Sequence, residues 1–168
     1  MFPMPHGCVW CASSKDDRMY RRILVAYDGT DAGDAALRLG VELARLAKAE
    51  LHVLGVVVSS GGLLLDPSVV STELLETERR FLLEALESAV SALGANGAHA
   101  TTCLRDGDAA DEILLYAHEI NADLAVVGHG DKGLMARWIE GSVGERLLKA
   151  APCSLLVARD GAAAVARL

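Results

Sequence analysis

The chain has 168 residues, 52% of them hydrophobic but only 4% aromatic, so a single domain with a core of Ala, Val and Leu is expected, without need of disulfides or metals. Its 23 acidic and 16 basic residues give a net charge of −7 with no clustered basic face, which argues against nucleic acid as a partner. No apolar run reaches the roughly 18–20 residues of a membrane span, and the first residues carry no secretory signature, so the four cysteines are expected in a reduced, cytoplasmic setting.

Residues 1–20, with Pro3, Pro5, Gly7, Ser13 and Ser14 ahead of the mixed charges Lys15 to Arg18, read as a flexible tail; a domain over 21–160 and a short tail over 161–168 follow. Ile23–Tyr27 is the first strand, and Asp28-Gly29-Thr30 makes a turn and a helix start. The helix over Thr30–Ala49 carries Ala35, Ala36, Leu39, Leu43, Ala44 and Leu46 as its apolar residues. Leu51–Val58 is the second strand, broken by Ser59-Ser60-Gly61-Gly62. After a loop of about twelve residues, Thr72–Leu93 reads as a long helix. Leu75, Leu82, Leu86 and Leu93 fall on one face of it, and Glu73, Glu76, Arg80, Glu84, Glu87 and Ser91 on a solvated one. Gly94 and Gly97 end that helix. His99–Leu104 is the third strand, and Asp106-Gly107-Asp108 caps a helix over Ala109–Glu119. Asp123–Val127, a helix over Ser142–Ala150 stopped by Pro152, and Cys153–Ala158 complete the pattern. Strands alternating with helices predict an α/β fold: an open, Rossmann-like parallel sheet of five strands with helices on both faces.

Such sheets bind ligands at the carboxyl ends of their strands. There the sequence places Asp28-Gly29-Thr30, the segment after Val56, Asp106-Gly107 and the run Gly128-His129-Gly130-Asp131-Lys132-Gly133, with Gly141-Ser142 opening the next helix. Glycines at a strand-to-helix turn let backbone N–H groups approach an anion, and the helix adds its positive N-terminal end, so the pattern points to a phosphate cradle. Ser142 can be a phosphate ligand and a helix N-cap at once, and Asp28 a ligand contact or a turn residue, its place at a strand's carboxyl end favouring the contact. The run also matches the dinucleotide fingerprint, but no acid ends the next strand at the required distance and no second mononucleotide half follows. A Walker-type Gly-Lys-Ser/Thr ending is absent. His129 has no nucleophile or acid at motif spacing to partner it as a catalytic base, and reads as a turn residue facing phosphate or solvent. Cys8-Val9-Trp10-Cys11, with His6, has the spacing of a redox or metal pair, yet Cys103 and Cys153 fall on strands far from it in the chain.

Ile23–Thr30, Leu104–Ile113, Ala122–Gly128, Gly141–Leu147 and Ala151–Val157, in this order, resemble the universal stress protein family, a likeness that runs from about Arg22 to Arg159. The resemblance implies a cytoplasmic homodimer paired through its last strand and, in the branch that carries a glycine signature, ATP as ligand. It places Ala26, Asp28, Val56 and Val127 around the adenosine and Gly128, Gly130, Gly141, Ser142 and Val143 around the phosphates. The family pattern has glycine where this chain has Asp131, and the nearest glycine, Gly130, stands one place early. A carboxylate there repels phosphate unless a metal such as magnesium bridges the two, or Lys132 compensates. The implied function is a nucleotide-binding regulatory protein of the stress response that acts through conformational change and partner binding. Any ATP hydrolysis would be slow, because neither a general base nor an arginine finger is evident. Two other classes stay open: an interaction module of the same fold that binds no nucleotide, and a thiol- or metal-responsive protein working through Cys8 and Cys11.

Overall fold

A computed structural model of the chain describes residues 19–58, 72–94, 99–130 and 143–159. The elements run β1 (Arg22–Tyr27), α1 (Asp31–Ala47), β2 (Glu50–Val58), α2 (Thr72–Gly94), β3 (Ala100–Gly107), α3 (Ala109–Glu119), β4 (Leu124–His129), α4 (Val143–Ala150) and β5 (Ser154–Arg159). They build a five-stranded sheet in the order β3-β2-β1-β4-β5, with every neighbouring pair parallel. This is the Rossmann-like architecture that the alternation of elements predicts. The expected tails lie outside the described residues except for Met19 and Tyr20, and among the described residues no helix is long and apolar enough to cross a membrane.

β1 holds the sheet together because both of its faces are covered. Ile23, Val25 and Tyr27 pack with Ala36, Leu37 and Ala44 of α1 and Leu82 and Leu86 of α2. Leu24 and Ala26 pack on the other side with Ala109, Ala110, Ile113 and Ala117 of α3 and Leu147 of α4. Burying Ile23, Leu24 and Val25 completely stabilises the fold by about 1.5–3 kcal/mol each. Their sum is comparable to the net stability of a small domain, so this strand belongs at the centre. At its amino end the Asp123 carboxylate accepts from the Arg21 and Arg22 N–H groups at 2.6 and 2.8 Å. The Arg22 guanidinium donates to the Ile120 carbonyl at 2.6 Å.

α1 is capped by Thr30, whose hydroxyl accepts from the Gly33 N–H, and ends at Lys48 in the left-handed conformation. Its buried stripe is Gly33, Ala36, Leu37, Gly40 and Ala44. Leu46, expected on the apolar face, is 82% exposed, because two residues beyond Ala44 a helix has turned to its opposite side. Gly40 is needed for close packing: a Cβ there would come 2.4 Å from Cγ2 of Val25. Three strands, β3, β4 and β5, run further at their carboxyl ends than composition suggests. β3 continues through Asp106 and Gly107, whose register partners are Val57 and Val58, and β4 continues to His129, opposite Arg159. Asp108 alone therefore caps α3, accepting from the Ala110 and Asp111 N–H groups.

The Tyr27 hydroxyl donates to Oδ1 of Asp34 at 2.9 Å, and burial, then this bond to a carboxylate, push the phenol up to about 12. A phenol that ionises later in the fold than in the unfolded chain stabilises the fold up to the unfolded value, near 10, and loses that contribution as pH rises toward about 12. Equilibrium unfolding followed from pH 9 upward should therefore show an alkaline loss of stability that is smaller in Tyr27→Phe, and equal pH slopes would refute this assignment.

Candidate functional site

Several of the residues singled out in the sequence lie at strand ends where the sheet changes its winding. From β1 the chain moves outward through α1 to β2, whereas β4, on the other side of β1, leads to β5. The carboxyl ends of β1 and β4 therefore lie between connections that leave in opposite directions, the place where sheets of this kind form a ligand crevice. Ala26 and Val127 are register partners across these strands. Together with Val56 of β2 they belong to the core cluster on the α3 and α4 side, where all three are buried. These predicted residues form an apolar part of the core just below the carboxyl ends of the strands.

Asp28 follows the last residue of β1. Its Oδ1 accepts from the Thr30 N–H at 3.1 Å and the Thr30 hydroxyl at 2.6 Å, and the hydroxyl in turn receives the Gly33 N–H at 3.1 Å. The carboxylate thus builds the turn that starts α1, close to that helix's positive end. Gly29 takes φ +73° in this turn with the Phe81 ring beside it. Gly33, which the sequence reading did not single out, leaves room for the carboxylate: a Cβ there would lie 2.6 Å from Oδ1 of Asp28.

Gly128 has a packing reason of its own. A Cβ on it would come 2.2 Å from the Ala32 carbonyl oxygen, a backbone atom that cannot swing away. Gly130 directly follows β4 and is half-buried. Val143 is the first residue of α4, while Gly141, Ser142, Asp131, Lys132 and Gly133 lie outside the described residues. His129 is a strand residue and not the turn residue expected from the sequence. Its Nδ1 is buried with no hydrogen-bond partner among the described residues, an arrangement that costs about 1–3 kcal/mol when nothing compensates it.

The rim is acidic by composition but paired. Asp106 at the end of β3 meets Arg79 of α2. Arg146 of α4 donates to Oδ1 of Asp108 at 2.9 Å and also pairs with Asp111, tying the first turn of α4 to the start of α3. These groups are partly exposed, and such pairs contribute about 0–1 kcal/mol each, so they orient helices more than they stabilise them. No sequence signal announced Arg146, because its partners lie 38 and 35 positions away.

Other parts of the molecule fit less well. A hollow of about 480 Å³ bordered by Arg45, Glu50, His52 and His99 lies at the amino ends of β2 and β3, away from the crevice. Cys103 and Cys153 are free thiols on β3 and just before β5, at opposite edges of the sheet. Burial pushes the Cys153 thiol up, away from the reactive thiolate. Cys8 and Cys11 lie outside the described residues, and among those described no group of three His, Cys, Asp or Glu could hold a metal.

Comparison with known proteins agrees with this architecture. Residues 19–159 match the model of the universal stress protein family. Universal stress protein YxiE of Bacillus subtilis is 33% identical over 149 residues, covering 84% of this chain and all of that protein. A family member from Burkholderia pseudomallei superposes with a TM-score of 0.63 at 32% identity, covering 83% of this chain and 96% of its own. UspA of Lactobacillus plantarum gives 0.71 at 28% identity, over 83% of this chain and 98% of its own. Among more distant structures of the same fold, an Arabidopsis thaliana family protein was solved with AMP bound (20% identity, TM-score 0.59, covering 84% and 93%). One from Archaeoglobus fulgidus was solved in complex with dAMP (24%, 0.56, covering 83% and 98%).

The contact of Gly128 with α1 separates packing from binding. Gly128→Ala should destabilise the ligand-free protein by about 1–3 kcal/mol, since overpacking here displaces a helix backbone. Denaturant unfolding without nucleotide measures this, and an unchanged midpoint would show that α1 does not start where the structure puts it.

Proposed function

The chain belongs to the universal stress protein family, and from that premise we propose that it binds an adenine nucleotide in the crevice between β1 and β4 and works as a regulatory binding protein rather than an enzyme. The observation that carries the proposal is the convergence of the Asp28 turn, the apolar Ala26–Val56–Val127 group and the Gly128–Gly130 backbone at the point where the sheet reverses its winding. The AMP- and dAMP-bound relatives of the same fold support the ligand class. In this reading Ala26, Asp28, Val56 and Val127 surround the base and ribose. Gly128, Gly130, Gly141, Ser142 and Val143 offer backbone N–H groups and a hydroxyl to the phosphates.

Asp131 sets the preference among nucleotides. Its carboxylate opposes a triphosphate more than a monophosphate, so ATP needs magnesium to bridge the charges. Occupancy then biases the arrangement of the glycine run and α4, and with it the surface offered to a partner protein. The chain acts as a homodimer through β5, which among the described strands is an edge strand beside β4, with Val157 exposed on it. A second copy of this edge would continue the sheet.

Titration calorimetry should show binding of AMP and ATP, with ATP gaining more from magnesium and Asp131→Gly removing that difference. Gly141→Val with Ser142→Val should abolish binding and leave the far-ultraviolet circular dichroism unchanged; retained affinity would remove the phosphate cradle. Sedimentation should show a wild-type dimer and a Val157→Lys monomer, and a dimeric variant would place the interface elsewhere.

A further inference from the structure

We propose that His129 binds the nucleotide directly, its Nδ1–H donating a hydrogen bond to a phosphate oxygen. The proposal deepens the nucleotide-binding reading and rests on it. His129 ends β4 two residues after Val127, so it shares the sheet face on which Ala26, Val56 and Val127 lie. It stands between Gly128 and Gly130, the two residues of β4 and its exit assigned to the phosphates. Its Nδ1 is buried and has no partner among the described residues. At the end of the neighbouring β1, Oδ1 of Asp28 receives both Thr30 donors and the Thr30 hydroxyl receives the Gly33 N–H. A buried ring nitrogen without a partner among the described residues, at the strand end that borders the proposed ligand site, is satisfied when the ligand brings an acceptor. At this place between two glycines that acceptor is a phosphate oxygen, to which a directed N–H adds what a backbone cradle alone lacks.

The ligand-free and liganded proteins respond in opposite directions to one substitution. His129→Phe keeps a planar ring but removes the unpaired nitrogen. The melting temperature without nucleotide should stay equal or rise, while AMP affinity falls about 10- to 100-fold. Adenosine, which lacks the phosphate, should bind wild type and variant alike. His129→Asn, whose amide nitrogen reaches the place of Nδ1, should recover part of the AMP affinity. In the wild-type protein the Nδ1 nitrogen resonance should move on adding AMP and stay still on adding adenosine; this readout holds even if a variant folds poorly. A wild-type chain that binds no AMP overturns the nucleotide reading itself. AMP binding that His129→Phe leaves unchanged, or weakens equally for adenosine, overturns the role of His129 alone, as does a lowered melting temperature without ligand or an Nδ1 resonance indifferent to AMP.

Discussion

The start of α1 against the carboxyl ends of β1 and β4 is the constraint on which the upper edge of the molecule depends. The Ala32 carbonyl lies where a side chain on Gly128 would be, and the Asp28 carboxylate lies where one on Gly33 would be. Two glycines from distant parts of the chain thus let a helix begin within contact distance of two strands. A phosphate-binding turn asks for glycine at the same strand end, for a different reason: its backbone N–H groups must meet an anion. Gly128 is accordingly explained twice, and its presence alone does not discriminate between a packed fold and a working cradle. Binding by residues other than Gly128 carries that distinction, and His129 at the end of β4 and Gly130 after it are the described ones beside it.

The sheet divides the labour between its faces. On the α1 and α2 side, Val25, Tyr27, Leu82 and Leu86 make a conventional aliphatic core. On the α3 and α4 side the packing partners are smaller, with Ala26, Ala109, Ala110 and Ala117 among the buried residues. Val56 and Val127 extend this apolar packing across β2, β1 and β4. The carboxyl ends of these strands thus border one core and, through Gly128, the backbone of α1.

Much of this was legible in the sequence, with a physical limit to how much. α3 was placed residue for residue, because Asp108 is a strong N-cap and Ala110, Ile113 and Ala117 keep helical spacing after it. The strand ends were not. Arg105 and Asp106 look like turn residues by composition, yet they pair with Val56 and Val57 because register with a neighbour, and not polarity, decides where an edge strand stops. His129 was misread as a turn residue for the same reason. Leu46 shows that an apolar residue in a helix carries no direction until the stripe is fixed, and the stripe here was fixed by the glycines Gly33 and Gly40. The Arg146 pairs were invisible because nothing local links α4 to the first turn of α3.

A net charge of −7 would be expected to repel an anionic ligand. Several of the described carboxylates at this edge are answered, however: Asp106 by Arg79, Asp108 and Asp111 by the one Arg146, and Asp28 by the donors of its own turn. Helices α1, α3 and α4 all begin at this edge, and each presents about half a positive charge at its start. At physiological salt a charge is felt over about 8 Å, so these local pairings and helix ends outweigh the distant acidic surface. Attraction of an anion here is therefore local and modest. Discrimination among anions must come from shape and from directed hydrogen bonds, which is the part of the site where this chain departs from glycine and where the His129 ring, with its buried Nδ1, stands.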